Sequence, residues 1–221
     1  MATTKPQSDG SIAALLDGLT VDEINALSAH AAIQTFPKNA VIINEGDRSD
    51  SIFIVSSGRV KVFLHGGDGK EVVLNIHGPG EYFGEIVLDE GPRSASVATL
   101  ETSKFLIISK ADFRQFLSTH PDFAMKLINR LMHRVRALTE NVKSLALMDV
   151  YGRVARLLLE LAVEQEGGLV VTEKLTQKDI ADRVGASREM VSRIFKELVA
   201  GGFIVLDNKQ IVVKKDLPLR W

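Results

Sequence analysis

The sequence predicts an α+β fold, in which an N-terminal antiparallel β-roll is followed by a long helix and a C-terminal winged helix-turn-helix. Residues 36–108 contain short apolar or alternating runs separated by Gly, Asp, Asn and Pro, which is typical of antiparallel strands. Residues 121–148 repeat apolar side chains at steps of three and four, which predicts one long helix. Residues 175–198 and 201–214 then predict two short helices and a β-hairpin.

A short helix is expected on each side of the roll, at residues 21–31 and 110–118. Ser109 and Asp112 have the spacing of a capping box, which would start the second of these helices. Residues 1–19 are expected to form an N-terminal tail, of which residues 1–10 are polar. They lack the basic and apolar regions of a signal peptide, and no stretch of the sequence is long and apolar enough to span a membrane.

One loop of the roll, FGEIVLDEGPRSASV at residues 83–97, has the residue types of a phosphate site. Gly84 permits close approach of the backbone to a ligand, and neighbouring amide groups can bind a phosphate. Arg93 can pair with that phosphate, and Ser94 can donate to it. Glu85 can accept a hydrogen bond from a ribose hydroxyl. An ordinary surface loop with a Glu–Arg ion pair is the alternative interpretation.

The long helix has the apolar pattern of a coiled-coil seam. Its apolar residues alternate in steps of four and three, as in a heptad repeat, at Ala124, Ile128, Leu131, Val135, Leu138, Val142 and Leu145. This pattern predicts a parallel homodimer through residues 121–147, although Phe123 and Leu127 can pack on the domain of the same chain. Asp149 can cap a further helix, so a hinge is expected next to Met148.

The region 175–198 predicts a helix, a turn at Gly185 and a second helix that Ser187 caps. The buried stripe of the second helix is expected to consist of Met190, Val191, Ile194 and Leu198. The candidate DNA contacts lie on its other face and at the start of the first helix: Gln177, Lys178, Ser187, Arg188, Glu189, Ser192, Arg193 and Lys196. A small amphipathic helix pair, with Glu189 and Arg193 as a surface ion pair, is the alternative.

The β-hairpin after the second helix favours double-stranded DNA as the partner. Residues 201–206 and 211–214 are apolar runs around a turn at Asp207, Asn208 and Lys209, which is the pattern of a wing. Arginine can bond two acceptors of guanine, and glutamate can accept from the cytosine amino group. A dimer would place two such helices about 34 Å apart in the major groove, where they read a palindrome. A protein of this kind is expected in the cytoplasm.

The composition excludes several other classes of protein. The 27 Lys and Arg residues nearly balance the 28 Asp and Glu residues, so affinity for DNA must come from local basic groups. The sequence contains no Cys, which excludes disulfides, Cys-ligated zinc and iron–sulfur clusters. No metal or haem site is expected because the histidines are scattered, at His30, His65, His77, His120 and His133. The sequence has no catalytic grouping, so no enzyme is expected.

Four segments resemble the cyclic-AMP receptor protein family of bacterial transcription regulators, within the CRP/FNR superfamily. EGDRSDSIFIVSSGRVKV at residues 45–62 resembles the family's cyclic-nucleotide-binding jelly-roll, and FGEIVLDEGPRSA at 83–95 resembles its phosphate-binding cassette. ALMDVYGRVARLLLELA at 146–162 resembles the hinge and the helix that follows it. VGASREMVSRIFKEL at 184–198 resembles the recognition helix. The resemblance covers nearly the whole chain from about residue 20.

This resemblance implies a role for each motif. The residues that would hold the ribose and the cyclic phosphate are Gly84, Glu85, Arg93 and Ser94. The base-reading positions of members that recognise TGTGA half-sites are matched by Arg188, Glu189 and Arg193. A TGTGA…TCACA operator is therefore expected, with Ser187 in contact with a phosphate. RNA polymerase is expected as a further partner.

The resemblance also makes a cyclic nucleotide the expected effector, and cyclic AMP the first candidate. Family members that respond to cyclic AMP commonly place two adjacent hydroxyl residues against the base, and Leu138 and Thr139 occupy those places here. Thr139 can bond the amino group of adenine, whereas Leu138 cannot. Cyclic GMP, cyclic di-GMP and a ligand-independent regulator therefore remain alternatives.

The motifs divide the chain into four segments. These are an N-terminal tail (1–19), a cyclic-nucleotide-binding β-roll (20–118), a dimerisation helix (119–148) and a winged helix-turn-helix (149–221). The expected mechanism is allosteric. A ligand bound between the roll and the long helix favours one arrangement of the seam, and the hinge passes this arrangement to the paired recognition helices.

Overall fold

The computed structural model describes residues 31–67, 70–89, 91–165, 168–207 and 210–217. Contacts between backbone positions divide the chain into two compact units. The first runs up to Leu64 and includes Leu74–Met132, and the second joins His65–Val73 to the residues from His133 onward. The predicted tail (1–19) and nearly all of the predicted helix at 21–31 lie outside the described residues.

Within the described residues, eight strands form the roll, in two four-stranded sheets with the orders β1-β8-β3-β6 and β2-β7-β4-β5. The strands are β1 (Ala32–Phe36), β2 (Val41–Ile43), β3 (Ser51–Ser57), β4 (Val60–His65), β5 (Glu71–His77), β6 (Tyr82–Phe83), β7 (Ser96–Thr99) and β8 (Ser103–Ser109). The strands predicted within the roll begin at residue 36, so β1 was missed. The side chains of β1 are mostly exposed, and the strand lacks the apolar signal of its neighbours.

Three buried phenylalanines form the centre of one apolar core of the roll. The rings of Phe53 and Phe83 stack with their centroids 5.0 Å apart, and Phe105 meets Phe83 edge-on at 5.6 Å. Aromatic pairs in these arrangements add about 0.5–1.5 kcal/mol to the energy of burial. Since Phe83 is the last residue of β6, this packing fixes the start of the loop that contains Gly84.

A second core of the roll lies where α1 (Lys110–Thr119) and the first turns of α2 (Pro121–Leu147) cover one sheet. Ser109 caps α1, since its Oγ accepts from the backbone N–H of Asp112 at 3.1 Å. The Ser109 half of the predicted capping box is therefore present, and the Asp112 carboxylate accepts from the Ser109 hydroxyl at 2.5 Å. The predicted bounds of this helix agree within one residue.

The helix α2 has one buried end and a long exposed apolar stripe. Phe123 and Leu127 are buried against the roll, as the alternative interpretation of this helix expected. Leu131 also packs there, so this heptad position serves the core of its own chain. The large apolar side chains exposed along α2 in the single chain are Met125, Ile128, Met132, Val135, Leu138, Val142, Leu145 and Leu147.

The second unit has a helical layer and a four-stranded antiparallel sheet of order β11-β12-β10-β9. Its elements are α3 (Val150–Leu161), β9 (Ala162–Gln165), β10 (Gly168–Val171), α4 (Gln177–Val184), α5 (Arg188–Ala200), β11 (Ile204–Asp207) and β12 (Gln210–Val213). The hairpin β9–β10 was missed in the sequence. The predicted wing is present as β11 and β12, with Asn208 and Lys209 of its turn outside the described residues.

One apolar core joins α3, α4 and α5 to the sheet. Val154 and Leu158 of α3 and Val191 of α5 are completely buried in it. Asp149 caps α3 as predicted, because its Oδ1 accepts from the backbone N–H of Gly152 at 2.7 Å. Within the part of the chain that the structure describes, no helix has the length and apolar character to span a membrane.

Candidate functional site

The loop after β6 starts with a glycine that no other residue replaces without strain. Gly84 has a φ of 84°, in the left-handed region, and a 3₁₀ helix at Glu85–Asp89 follows it. A Cβ atom at Gly84 would lie 2.8 Å from Nη1 of Arg93 and 3.2 Å from the carbonyl oxygen of Ser51. The backbone at Gly84 therefore lies close to Arg93 and Ser51 of the same chain, and its approach to a ligand stays a prediction.

Arg93 lies inside the roll and bonds the start of β3 to the loop after β6. Its side chain is 4% exposed, so the alternative of an ordinary surface loop is wrong at this position. Nη1 donates to the carbonyl oxygen of Gly84 at 2.6 Å. Nη2 donates to the carbonyl oxygen of Ser51 at 2.5 Å and to Oγ of Ser49 at 2.8 Å. The contributions of Ser49 and Ser51 were not predicted, because both lie more than 40 residues from Arg93 in the sequence.

The electrostatic surroundings of Arg93 favour an additional negative group. Burial lowers the pKa of its guanidinium, and the carboxylates of Glu85 and Asp50 partly oppose this effect. Its Nε is buried and has no hydrogen-bond partner among the described residues. A buried donor without an acceptor costs about 1–3 kcal/mol. An anionic oxygen that reached Nε would satisfy the donor and stabilise the buried cation.

The other predicted ligand residues divide into two groups. Glu85 is half-buried at the start of the 3₁₀ helix, and Ser94 is exposed next to Arg93, so both belong to the same loop. Leu138 and Thr139 lie on α2, in the part assigned to the second compact unit. Leu138 is partly exposed. The Thr139 hydroxyl donates to the carbonyl oxygen of Val135 at 2.9 Å, within the same helix.

The first helix of the helix-turn-helix is closed at both ends by local bonds. Thr176 caps α4 and forms a full capping box with Asp179. Gly185 ends the helix in the left-handed conformation, with a φ of 63°, as predicted. Gln177 is half-buried in the first turn. Lys178 is exposed and bonds the carboxylate of Asp182 at 2.7 Å, which raises the pKa of Lys178.

The second helix presents the predicted polar face. Ser187 caps α5, since its Oγ accepts from the backbone N–H of Met190 at 3.2 Å. The side chains that are exposed on α5 include Arg188, Glu189, Arg193 and Lys196, and Ser192 is half-buried. Met190 is only half-buried, and Nη2 of Arg193 contacts its sulfur at 2.8 Å. Phe195 takes the place in the core that the sequence analysis gave to Met190, because it completes the stripe of Val191, Ile194 and Leu198.

Two of the histidines in the described residues are held in the roll by aromatic packing. His77 is 2% exposed, lies near the ring of Phe83 and has Nδ1 3.6 Å from the Glu81 carboxylate. His120 stacks on Phe116 at 4.1 Å. Among the described residues, no group of three or more His, Asp and Glu could hold a metal ion. His30 lies outside those residues.

A β-roll with a buried arginine in its glycine-led loop, together with a winged helix-turn-helix, defines a DNA-binding regulator with a ligand domain. Comparison with known families agrees: the family described as “Cyclic nucleotide-binding domain” matches residues 33–120, and “Crp-like helix-turn-helix domain” matches residues 152–217. The chain belongs to the CRP family of DNA-binding transcription regulators, with a cyclic nucleotide-binding domain.

Two curated relatives carry this assignment. The CRP-like cAMP-activated global transcriptional regulator of Mycobacterium tuberculosis is 35% identical over 206 residues, which cover 91% of this chain and 92% of the relative. The cAMP-activated global transcriptional regulator CRP of Salmonella typhimurium is 32% identical over 220 residues, which cover 96% of this chain and 98% of the relative.

Solved structures agree with the fold. The c-di-GMP responsive global regulator CLP of Xanthomonas campestris is similar with a TM-score of 0.77 and 26% identity, over 89% of this chain and 100% of CLP. A CooA mutant from Carboxydothermus hydrogenoformans gives a TM-score of 0.80 at 20% identity, over 96% of this chain and 95% of CooA. At 20% identity, the comparison with the CooA mutant supports the fold alone.

Substitution of Gly84 tests how tightly the loop is packed around Arg93. Gly84→Ala and Gly46→Ala place a Cβ on backbones with the same φ of 84°, but the Cβ at Gly46 has nothing within 4 Å. Each alanine costs about 1–2 kcal/mol for the left-handed backbone. We expect Gly84→Ala to lower the free energy of unfolding further, because its Cβ displaces Arg93, and urea denaturation measures the difference. Equal losses in the two variants would show that the contact with Arg93 relaxes freely.

Proposed function

We propose that the protein is a homodimeric, sequence-specific transcription regulator that binds a TGTGA…TCACA operator when a cyclic nucleotide, first of all cyclic AMP, occupies the roll. The observation that carries the proposal is the buried guanidinium of Arg93, whose Nε lacks an acceptor among the described residues. A cyclic phosphate supplies that acceptor and a negative charge. Gly84, Glu85 and Ser94 surround it with backbone, carboxylate and hydroxyl groups that suit a ribose phosphate.

Cyclic AMP is the preferred effector for two reasons. The relatives from Mycobacterium tuberculosis and Salmonella typhimurium are both described as cAMP-activated. The hydroxyl hydrogen of Thr139 is used within α2, so its oxygen is left to accept a hydrogen bond. The amino group of adenine donates, whereas the corresponding guanine oxygen only accepts. Leu138 contributes apolar contact and no hydrogen bond.

Other effectors remain as specific alternatives to cyclic AMP. The similar regulator CLP is described as responsive to c-di-GMP, and this supports a cyclic dinucleotide as the second candidate. Cyclic GMP and ligand-independent binding to DNA are further outcomes that the experiment below distinguishes. The proposed domains are those drawn from the sequence: 1–19, 20–118, 119–148 and 149–221.

The exposed stripe of α2 supports a homodimer. Val135 is 62% exposed and Val142 is 65% exposed in the single chain, and both occupy seam positions of the heptad pattern. A contiguous apolar surface of this kind favours association, because its burial gains about 25 cal/mol per Å². A two-fold axis along α2 would place the two copies of α5 in successive major grooves, about 34 Å apart.

The polar face of α5 supports two kinds of contact with DNA, one with base edges and one with phosphates or groove edges. Arg188, Glu189 and Arg193 are exposed and suit base edges, because arginine bonds guanine and glutamate accepts from cytosine. The remaining proposed contacts, with phosphates or groove edges, are Gln177, Lys178, Ser187, Ser192 and Lys196. The protein would act in the cytoplasm, with RNA polymerase as a further partner and no catalytic step of its own.

Fluorescence anisotropy of a labelled TGTGA…TCACA duplex tests the proposal directly. The protein is titrated at fixed salt without ligand and with cyclic AMP, cyclic GMP or c-di-GMP, and a shuffled duplex serves as the control for sequence. We expect cyclic AMP to raise affinity for the operator by about 5- to 150-fold. Equal binding in all conditions would support a ligand-independent regulator, and equal binding to both duplexes would contradict the proposed operator.

Arg93→Ala tests the proposed ligand site. We expect it to abolish the response to cyclic AMP, because the buried cation that meets the phosphate is gone. Circular dichroism and thermal denaturation check that the fold is retained, and calorimetry measures binding of the nucleotide. Undiminished binding of cyclic AMP to the folded variant would show that Arg93 is not part of the ligand site.

Arg188→Ala tests base recognition. We expect a loss of about 1–3 kcal/mol on the matched operator and relaxed preference at one base pair, because a two-bond contact with guanine is removed. Lys196→Ala serves as the control on the same helix. We expect it to lower affinity for every DNA sequence by a similar factor, and to weaken the salt dependence of that affinity by about one phosphate contact. An equal loss for Arg188→Ala on random DNA would make Arg188 a phosphate contact.

Thr139→Val tests the choice of base, because valine keeps the shape of threonine and removes the hydroxyl. We expect affinity for cyclic AMP to fall about 2- to 10-fold, which corresponds to one net hydrogen bond, while affinity for cyclic GMP stays unchanged. Thr119→Val is the control, since Thr119 also donates to a carbonyl of its own helix, outside the proposed site. Calorimetric titration measures both nucleotides, and an unchanged ratio would remove Thr139 from the site.

A further inference from the structure

The ends of two helices meet at the side chain of Arg153 on α3. Helix α2 ends at Leu147, and α4 ends at Val184, just before the left-handed Gly185. The last carbonyl groups of a helix lack partners within it and carry the negative end of its dipole. Nε of Arg153 donates to the carbonyl oxygen of Val184 at 2.8 Å, and Nη1 donates to that of Met148 at 2.9 Å. One guanidinium therefore bonds both the last residue of α4 and the residue that directly follows α2.

Two further contacts surround this guanidinium bridge. A Cβ atom built on Gly185 would lie 3.2 Å from Cδ2 of Leu145, so the last turn of α2 packs directly on the turn of the helix-turn-helix. The cap formed by Asp149 starts α3 immediately after α2 ends. The leucine contact is apolar and permits sliding, whereas the two hydrogen bonds of Arg153 are directional. Arg156 of α3 also donates to α2, from Nη1 to the carbonyl oxygen of Glu140 at 3.4 Å, but only Arg153 also bonds the end of α4.

We propose that Arg153 is a positioning residue that couples the ligand to DNA, because it makes the end of α2 and the helix-turn-helix move together. The inference rests on the proposed function, in which a cyclic nucleotide selects one arrangement of α2. Arg153 belongs neither to the loop around Arg93 nor to the exposed face of α5. Its effect is therefore on the direction in which α5 points, and only the planar guanidinium has the fork that reaches both carbonyl groups.

Arg183 provides a matched control within the same unit. It lies on α4 and is also largely buried, with a side chain 12% exposed. Its Nη1 and Nη2 donate to the two carboxylate oxygens of Glu173 at 2.9 and 2.8 Å. Arg183→Lys therefore removes a two-bond guanidinium contact that does not include the end of α2. Any general cost of replacing such an arginine appears in this variant.

The experiment compares Arg153→Lys, Arg153→Gln and Arg183→Lys with the wild-type chain. Anisotropy gives the ratio of operator affinities with and without saturating cyclic AMP, and calorimetry gives the affinity of the DNA-free protein for cyclic AMP. In the wild type the ratio is expected to be about 5 to 150, and in both Arg153 variants it falls toward one. Affinity for cyclic AMP stays at the wild-type value without DNA, and Arg183→Lys keeps the wild-type ratio.

Linkage allows the same coupling to be measured from the side of the nucleotide, and a purely structural role would not change this coupling. DNA must strengthen binding of cyclic AMP by the same factor by which cyclic AMP strengthens binding of DNA. Titration of cyclic AMP into the protein–operator complex should therefore show the same loss of coupling in the Arg153 variants. If the operator affinities with and without cyclic AMP both fall while their ratio stays at the wild-type value, Arg153 is a structural residue only and the inference is wrong.

The variants also separate this inference from the proposed function. A wild-type chain that does not respond to cyclic AMP overturns the proposed effector, and the inference with it. A responsive wild type whose ratio is unchanged by Arg153→Lys overturns the inference alone. If thermal denaturation shows that Arg153→Gln is unfolded, the coupling measured in Arg153→Lys tests the inference alone, because lysine keeps a positive charge near the two helix ends.

Discussion

The buried guanidinium of Arg93 is the interaction on which the ligand domain depends. It bonds carbonyl groups from the start of β3 and from the loop after β6, so it joins two distant parts of the chain at the place where the phosphate is proposed to bind. Burial of this cation is unfavourable by itself, and the carboxylates of Glu85 and Asp50 lie close enough to oppose the loss of hydration. The loop is thus organised by a charge that a bound anion would stabilise further.

Helix α2 serves three purposes with three parts of its surface. Its first turns close a core of the roll through Phe123 and Leu127, and its last turn contacts the helix-turn-helix through Leu145. Between them, exposed apolar side chains form the stripe that we propose packs against a second copy of the chain. In the proposed function, α2 is the element through which a bound nucleotide acts on the helix-turn-helix, and Arg153 bonds the residue that directly follows it.

Local chemistry explains which features the sequence predicts. Helix caps and tight turns depend on bonds between residues that are close in the sequence, so the sequence predicts them. The predicted caps at Asp149 and Ser187 and the predicted turn at Gly185 are confirmed. The long-range partners of Arg93 and the bridge from Arg153 to Val184 depend on tertiary folding, and no local pattern reveals them. The strands β1 and β9 were missed because their side chains are mostly exposed and lack strong apolar alternation.

The continuity of α2 makes the number of residues in it a functional quantity. The helix has 27 residues and no interruption, and each residue turns the following surface by about 100°. One inserted residue would leave every side chain chemically unchanged and yet rotate the surface around Leu145 relative to the surface around Phe123. Seven inserted residues would restore the phase to within about 20°. In the proposed function, the phase of this helix therefore matters as well as its composition, and relatives are expected to differ in its length by whole heptads.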